Sequence, residues 1–256
     1  MNQTTSKFRG LGIATGALLA LALAAPAAAM ENVHQAPSCQ LYQGDGSLES
    51  LQKREADLRE EWLHSASPAS GDHCEMANIH YKLARMVPDQ QVRYLNSCID
   101  YSQKAILRNA RSGIGYFFKG LCLGRLGERK GIWGSLKIIE PFRENMEAAV
   151  KIDPAIDSGG PHRALGRLYF KLPGVLGGSI KKSIDHLTKA VAYGPAYWEN
   201  HFFLSESYFE NHQYHLARTE LQTAIEISSQ LKDDPDSKTR KVELQGLMNA
   251  IERNLH

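Results

Sequence analysis

The sequence predicts an all-α fold, an array of about four helix pairs preceded by an N-terminal helix and closed by a C-terminal capping helix. Three observations predict it. From Cys74 onward, apolar residues recur at three- and four-residue steps, the period of a helix buried on one face. Breakers at Pro88, Gly113, Pro154, Gly159-Gly160, Pro173, Pro195 and Pro235 cut that period into segments of helix length. From Cys74 to the end, no stretch alternates apolar and polar residues as a half-buried strand would.

The N-terminus comes first. Lys7 and Arg9 precede an uncharged apolar run from Leu11 to Ala25, and Ala27-Ala28-Ala29 offers a small-residue cleavage site. That order is a secretory signal. The run is shorter than the roughly 20 residues a spanning helix needs. No cysteine follows it directly, so no lipid anchor is expected. The expected product is periplasmic, begins at Met30, and has no membrane span. Three regions follow: signal peptide 1–29, leader and N-terminal helix 30–71, and helical domain 72–256.

Residues 30–46 carry Pro37, Gly44 and Gly46 without a period and read as an extended leader. A polar helix is expected from Ser47 to about His64, then a loop from Ser65 to Gly71. The pairs are expected at about 75–87 with 90–109, 113–128 with 136–151, 160–171 with 178–193, and 198–211 with 213–230. A last helix at about 237–254 caps the array.

The fourth pair defines the repeat. Leu204, Ser205 and Tyr208, then Ala217, Leu221 and Ala224, fit the tetratricopeptide pattern of large, small and aromatic followed by Ala, large and Ala. Small residues let two antiparallel helices approach, and Tyr208 and Leu221 fill the space between them. Leu165, Gly166, Tyr169, Ser183, Leu187 and Ala190 repeat the scheme. Ala105, Ala149, Ala190 and Ala224 are equivalent, with separations of 44, 41 and 34. The last is the tetratricopeptide period. The excesses point to insertions near Gly127–Ser135 and Leu172–Gly178.

Charge and cysteines narrow the functions. Losing Lys7 and Arg9 leaves 28 basic against 28 acidic residues. A nucleic-acid partner is therefore not expected. Cys39, Cys74, Cys98 and Cys122 form an even set in an exported chain and suggest disulfides. Cys98 and Cys122 lie on neighbouring antiparallel helices, nearly level about the turn near residue 111, and differ by about 3 Å along the axis. Cys98–Cys122 is the expected bridge, leaving Cys39–Cys74 to tether the leader.

Ser158-Gly159-Gly160-Pro161-His162-Arg163-Ala164-Leu165-Gly166-Arg167-Leu168-Tyr169, running on to Lys171-Leu172-Pro173-Gly174, resembles the T-component proteins linked to TRAP-type transporters. Tyr197-Trp198-Glu199-Asn200-His201-Phe202-Phe203-Leu204-Ser205-Glu206 is similar to the same family. The resemblance spans roughly residues 75–230. It implies a periplasmic, all-helical protein with cryptic tetratricopeptide repeats, an apolar pore or groove, and a periplasmic substrate-binding protein as partner. The chain departs from the lipid-anchored members by lacking their cysteine.

Stacked helix pairs leave a concave surface lined by the first helix of each pair. Tyr116, Phe117, Arg163, Arg167, Tyr169, His201 and Phe202 are expected there, with Phe203 and Tyr208. Arg163 and Arg167 lie one turn apart and could hold an acidic group, or form a solvated or ion-paired face. His201 also occupies a packing position. Leu172, Pro173, Val175 and Leu176 could form a lid, a partner-binding loop or a local cap. His212 and His215 lack a third ligand, so no metal is expected. No nucleophile stands beside a base, so neither catalysis nor a cofactor is expected. The expected function is binding of a protein partner, with a small or apolar ligand as a further candidate. The alternative is an envelope assembly scaffold for proteins or peptides.

Overall fold

Helix follows helix along residues 39, 41–64, 68–231 and 237–255, the residues described in the computed structural model. The expected signal, 1–29, lies outside them. The helices are α1 (Leu48–Leu63), α2 (Ser70–Met86), α3 (Gln91–Arg108), α4 (Gly113–Ile152), α5 (Ile156–Lys171), α6 (Ile180–Tyr193), α7 (Trp198–Glu210), α8 (Tyr214–Ser229) and α9 (Ser237–Leu255). The described residues contain no strand, and no helix among them is long and apolar enough to cross a membrane.

Local chemistry sets the helix starts. Ser47, Ser112 and Ser179 hydroxyls accept the Ser50, Gly115 and Lys182 amides at 3.2, 3.1 and 3.3 Å. Each satisfies a donor that the first turn leaves without a partner. α2 begins at Ser70, ahead of the expected 75, because the Asp72 carboxylate accepts the Ala69 amide at 2.8 Å. Asp157, Ser158 and Gly159 have φ of 49°, 56° and 80°, so the regular part of α5 starts at Gly160. Pro161 stands in its first turn, where an amide hydrogen has no helical partner.

The second pair departs from expectation. Helix runs through Gly113–Ile152, with Pro141 inside it, so Gly127–Ser135 is not an open insertion. The chain nevertheless doubles back. A Cβ on Gly113 would lie 3.2 Å from Ile152 Cγ2, one on Gly120 2.6 Å from Met146 Cε, and one on Gly124 2.8 Å from Phe142 Cε2. A straight helix of this length would hold its ends about 58 Å apart. All three contacting pairs centre near residue 133. The result is an outgoing and a returning arm, the two members of the expected pair.

Each helix packs on its successor, and contacts also run α2 to α4, α5 to α7 and α7 to α9. Ala105, Ala149, Ala190 and Ala224 are each 0 % exposed, as the repeat requires of its close-approach positions. Gly166 serves the same end: a Cβ there would stand 2.5 Å from Leu187 Cγ. One core gathers Leu51, Leu58, Ile79, Leu83, Phe117, Met146 and Leu165. A second gathers Phe202, Leu221, Leu244 and Ile251. Cys98–Cys122 links α3 to α4, and Cys39–Cys74 fixes the leader to α2. Ser112 Oγ lies 2.8 and 3.3 Å from the Cys39 and Cys74 sulfurs.

Candidate binding groove

The first helices turn one face each toward a shared groove of about 1010 Å³. α2 contributes Asn78, Tyr81, Lys82 and Arg85, the i, i+3, i+4, i+7 spacing of a single helix face. The outgoing arm of α4 adds Phe117, Leu121, Gly124, Arg125 and Glu128. α5 adds Gly160, Arg163, Ala164, Arg167, Leu168 and Lys171, and α7 adds Glu199 and Phe203. Ile138, Ile139 and Phe142 of the returning arm deepen the apolar wall.

The leader lies in this groove through Leu41, Tyr42 and Gln43. The Tyr42 amide donates to Asn78 Oδ1 at 2.9 Å. Lys82 Nζ stands 5.0 Å from the Tyr42 ring centroid. Tyr42 is only 9 % exposed, although it belongs to no helix.

The groove is cationic. Lys82, Arg85, Arg125, Arg163, Arg167 and Lys171 face Glu128, Asp157 and Glu199 along its lining. Arg125 and Lys171 share Glu128, at 3.2 and 3.3 Å. Arg167 pairs with Glu206 and stacks 4.0 Å from the Phe203 ring centroid. Lys82 makes no ion pair among the described residues. Burial lowers its pKa, and Arg85 lowers it further against the opposing pull of Asp157. Burial likewise raises the Glu206 carboxyl despite Arg167.

Arg163 has a different role from Arg167. Its guanidinium donates to Asp157 O and Asn200 Oδ1 at 3.1 Å each, and to Asp157 Oδ2 at 2.6 Å. The Tyr197 ring centroid lies 4.2 Å away. Asn200, 0 % exposed, has Nδ2 2.9 Å from Ser158 O and Ala190 O and 3.0 Å from Gly194 O, so its two hydrogens are shared among three carbonyls. A Cβ on Gly159 would come 2.7 Å from Ala190 O. The two stretches that carry the family resemblance therefore meet here, where they lock the left-handed turn before α5 onto α6 and α7. The donors of Arg163 are engaged inside the protein, which removes it as a holder of an acidic ligand.

Of the expected groove residues, Phe117, Arg163, Arg167 and Phe203 line the cavity, and Tyr116, Tyr169, His201, Phe202 and Tyr208 do not. Tyr169 is the repeat counterpart of Tyr208, the aromatic between paired helices, and stacks on His186 of α6 with centroids 5.5 Å apart. His201 bonds Glu220 at 2.7 Å and Pro195 O at 2.9 Å, which places it between α7 and α8. Phe202 belongs to the second core, and Tyr116 packs against the first. In the loop after α5, Leu172 lines the groove and Val175 is 93 % exposed. His212 bonds Tyr214, and no cluster of three metal-ligating side chains occurs among the described residues. Asn78, Lys82 and the leader were missed by sequence reasoning. The α2 spacing is the one signal that could have revealed the first two.

A histidine pair, His162 buried and His186 half-buried, lies on the α5–α6 side, away from the groove lining. His162 and His186 Nδ1 atoms are 3.0 Å apart, so one is a donor and the other an acceptor. Burial lowers the His162 pKa to about 4, with His186 adding to the shift.

No family model matches the sequence, and no curated protein sequence matches it. Among solved structures, the chain is similar to TTC0263, a thermophilic tetratricopeptide-repeat protein of Thermus thermophilus. That match has 17 % identity and a TM-score of 0.54, and it covers 79 % of this chain and 94 % of the other. The chain is also similar to MamA 41-end from Desulfovibrio magneticus RS-1, at 15 % identity and a TM-score of 0.42, covering 70 % of this chain and 96 % of that one. The first likeness shows a tetratricopeptide-like helical fold.

Proposed function

We propose that the chain is an exported scaffold that holds a segment of a partner protein in its concave groove. One observation carries the reading: first helices from all four pairs, with the leader, line one continuous cavity of about 1010 Å³. Apolar walls with a few placed polar groups are the usual makeup of a recognition site. A periplasmic location is supported by the N-terminal signal pattern and by two cystines in a chain of this size.

Within this reading the partner is a periplasmic substrate-binding protein of a TRAP-type transporter, and the molecule acts as the transporter's accessory. The resemblance of residues 158–174 and 197–206 supports that identification. The test is affinity capture from a periplasmic extract with the native chain and with Leu121→Asp, which places a charge on the groove wall. A substrate-binding protein should be captured by the native chain and lost with the variant, whose circular dichroism stays helical. Equal capture by both would exclude the groove as the binding surface.

A further inference from the structure

We infer that the segment taken by the groove is acidic and lies extended, with an apolar side chain anchored between α4 and α5. This rests on the groove-binding reading above. Charge complementarity is the first argument. Six cationic side chains line the cavity against three carboxylates, and Glu206 beside the lining pairs with Arg167, so the cations outnumber the carboxylates by two. Those carboxylates are already engaged. Asp157 pairs with Arg163 at 2.6 Å, with Glu199 4.0 Å from the same guanidinium, and Glu128 is divided between Arg125 and Lys171. Lys82, by contrast, has the Tyr42 ring beside its ammonium group and no carboxylate paired with it among the described residues. The surplus is local, because the chain beyond residue 29 carries equal numbers of basic and acidic residues. A groove of one sign with low-dielectric walls concentrates partners of the opposite sign.

The leader supplies the second argument. Residues 41–43 belong to no helix or strand and sit in the cavity. Asn78 accepts a main-chain amide of this segment at 2.9 Å, a contact that reads backbone rather than side-chain identity. Non-helical chain is therefore already accommodated on the α2 face, with an aromatic side chain under Lys82. The walls beyond it offer Phe117, Leu121, Ile139, Phe142 and Leu168 to an apolar anchor. A nucleic acid would meet the same cations, but these aromatic and aliphatic walls suit a side chain better than a phosphate backbone.

The experiment is fluorescence anisotropy on the full, disulfide-intact chain. Three labelled peptides share one apolar core and differ only in flanks of glutamate, glutamine or lysine. The acidic peptide should bind at least about tenfold tighter than the neutral one, and tighter still than the basic one, with affinity falling as salt rises. Lys82→Gln and, independently, Lys171→Gln should each weaken the acidic peptide several-fold and leave the neutral one unchanged. Lys151→Gln, off the groove on α4, should change neither. Equal binding of acidic and basic peptides would overturn the inference and leave the groove reading intact. If no peptide binds while the capture experiment succeeds, the extended-segment inference alone falls. If both fail, the groove reading falls with it. Preferential binding of a poly-thymidine probe over the acidic peptide would also overturn the inference.

Discussion

The two halves of the array join their helices differently. In the first half, a cystine ties α3 to α4 and another ties the leader to α2, around a core of large aliphatic and aromatic side chains. In the second half, α5, α6 and α7 are joined by buried polar groups. Asn200 and Arg163 hold the turn before α5, and Ser183 bridges Gly166 and Ser207. The tetratricopeptide pattern is full in the second half and diluted in the first. Where small and large residues follow the pattern, helices approach closely enough for short hydroxyl and amide side chains to reach backbone across the interface. Where the pattern is diluted, covalent bonds hold the helices in register.

The sharpest way to break this comparison is Asn200→Ala. The amide serves three carbonyls, of which Ala190 O and Gly194 O also accept a backbone amide, and accepts from one guanidinium. Its removal takes away several buried hydrogen bonds at once, one of them to a guanidinium, although Arg163 keeps Asp157. The expected loss is about 3–5 kcal/mol of unfolding free energy by chemical denaturation. A loss below about 1 kcal/mol would mean that packing alone joins the second half.

The matching change in the first half is Cys98→Ala with Cys122→Ala. The cystine closes a separation of 24 residues, so loop entropy predicts a loss of about 3 kcal/mol. Hydrogen exchange sharpens the contrast. Amides of α3 and α4 should exchange sooner in this variant while those of α7 and α8 keep their protection. Uniform acceleration would show that the halves unfold as one unit and that the contrast lies only in chemistry.

Helix order was legible because the pattern is written in side chains that pack. Leu204, Ser205, Tyr208, Ala217, Leu221 and Ala224 mark α7 and α8, and the four equivalent alanines mark every second helix. The groove was less legible because one residue along a helix is a rotation of about 100°. Phe117 and Phe203 face the cavity, while their neighbours Tyr116 and Phe202 pack elsewhere. The Arg163–Asn200 lock joins residues far apart in sequence through a left-handed turn. Two of that turn's three residues, Asp157 and Ser158, take positive φ without being glycine, so the sequence does not mark the turn there. The leader has no period, so nothing in its sequence places Tyr42 on Asn78. The helix through Gly127–Ser135 was hidden by the glycines there, which read as a turn.

The smallest expected effect tests how the second half shares its polar bonds. Ser183 Oγ lies 2.9 Å from Gly166 O and 2.8 Å from Ser207 Oγ, and Ser207 Oγ lies 3.0 Å from Phe203 O. Three contacts are thus served by two hydroxyl hydrogens. In Ser183→Ala, Ser207 still donates to Phe203 O, and Gly166 O keeps its helical amide. No buried donor is stranded, so the loss should be about 1 kcal/mol or less. Ser183→Leu at the same 0 % exposed site would instead push α6 away from α5 and cost more than the alanine change, about 1–3 kcal/mol. Denaturation midpoints in that order would mean that close approach governs this interface and that the hydroxyls only complete it. If alanine proved as harmful as leucine, the hydrogen bonds themselves would be what holds α5, α6 and α7 together, as they do around Asn200.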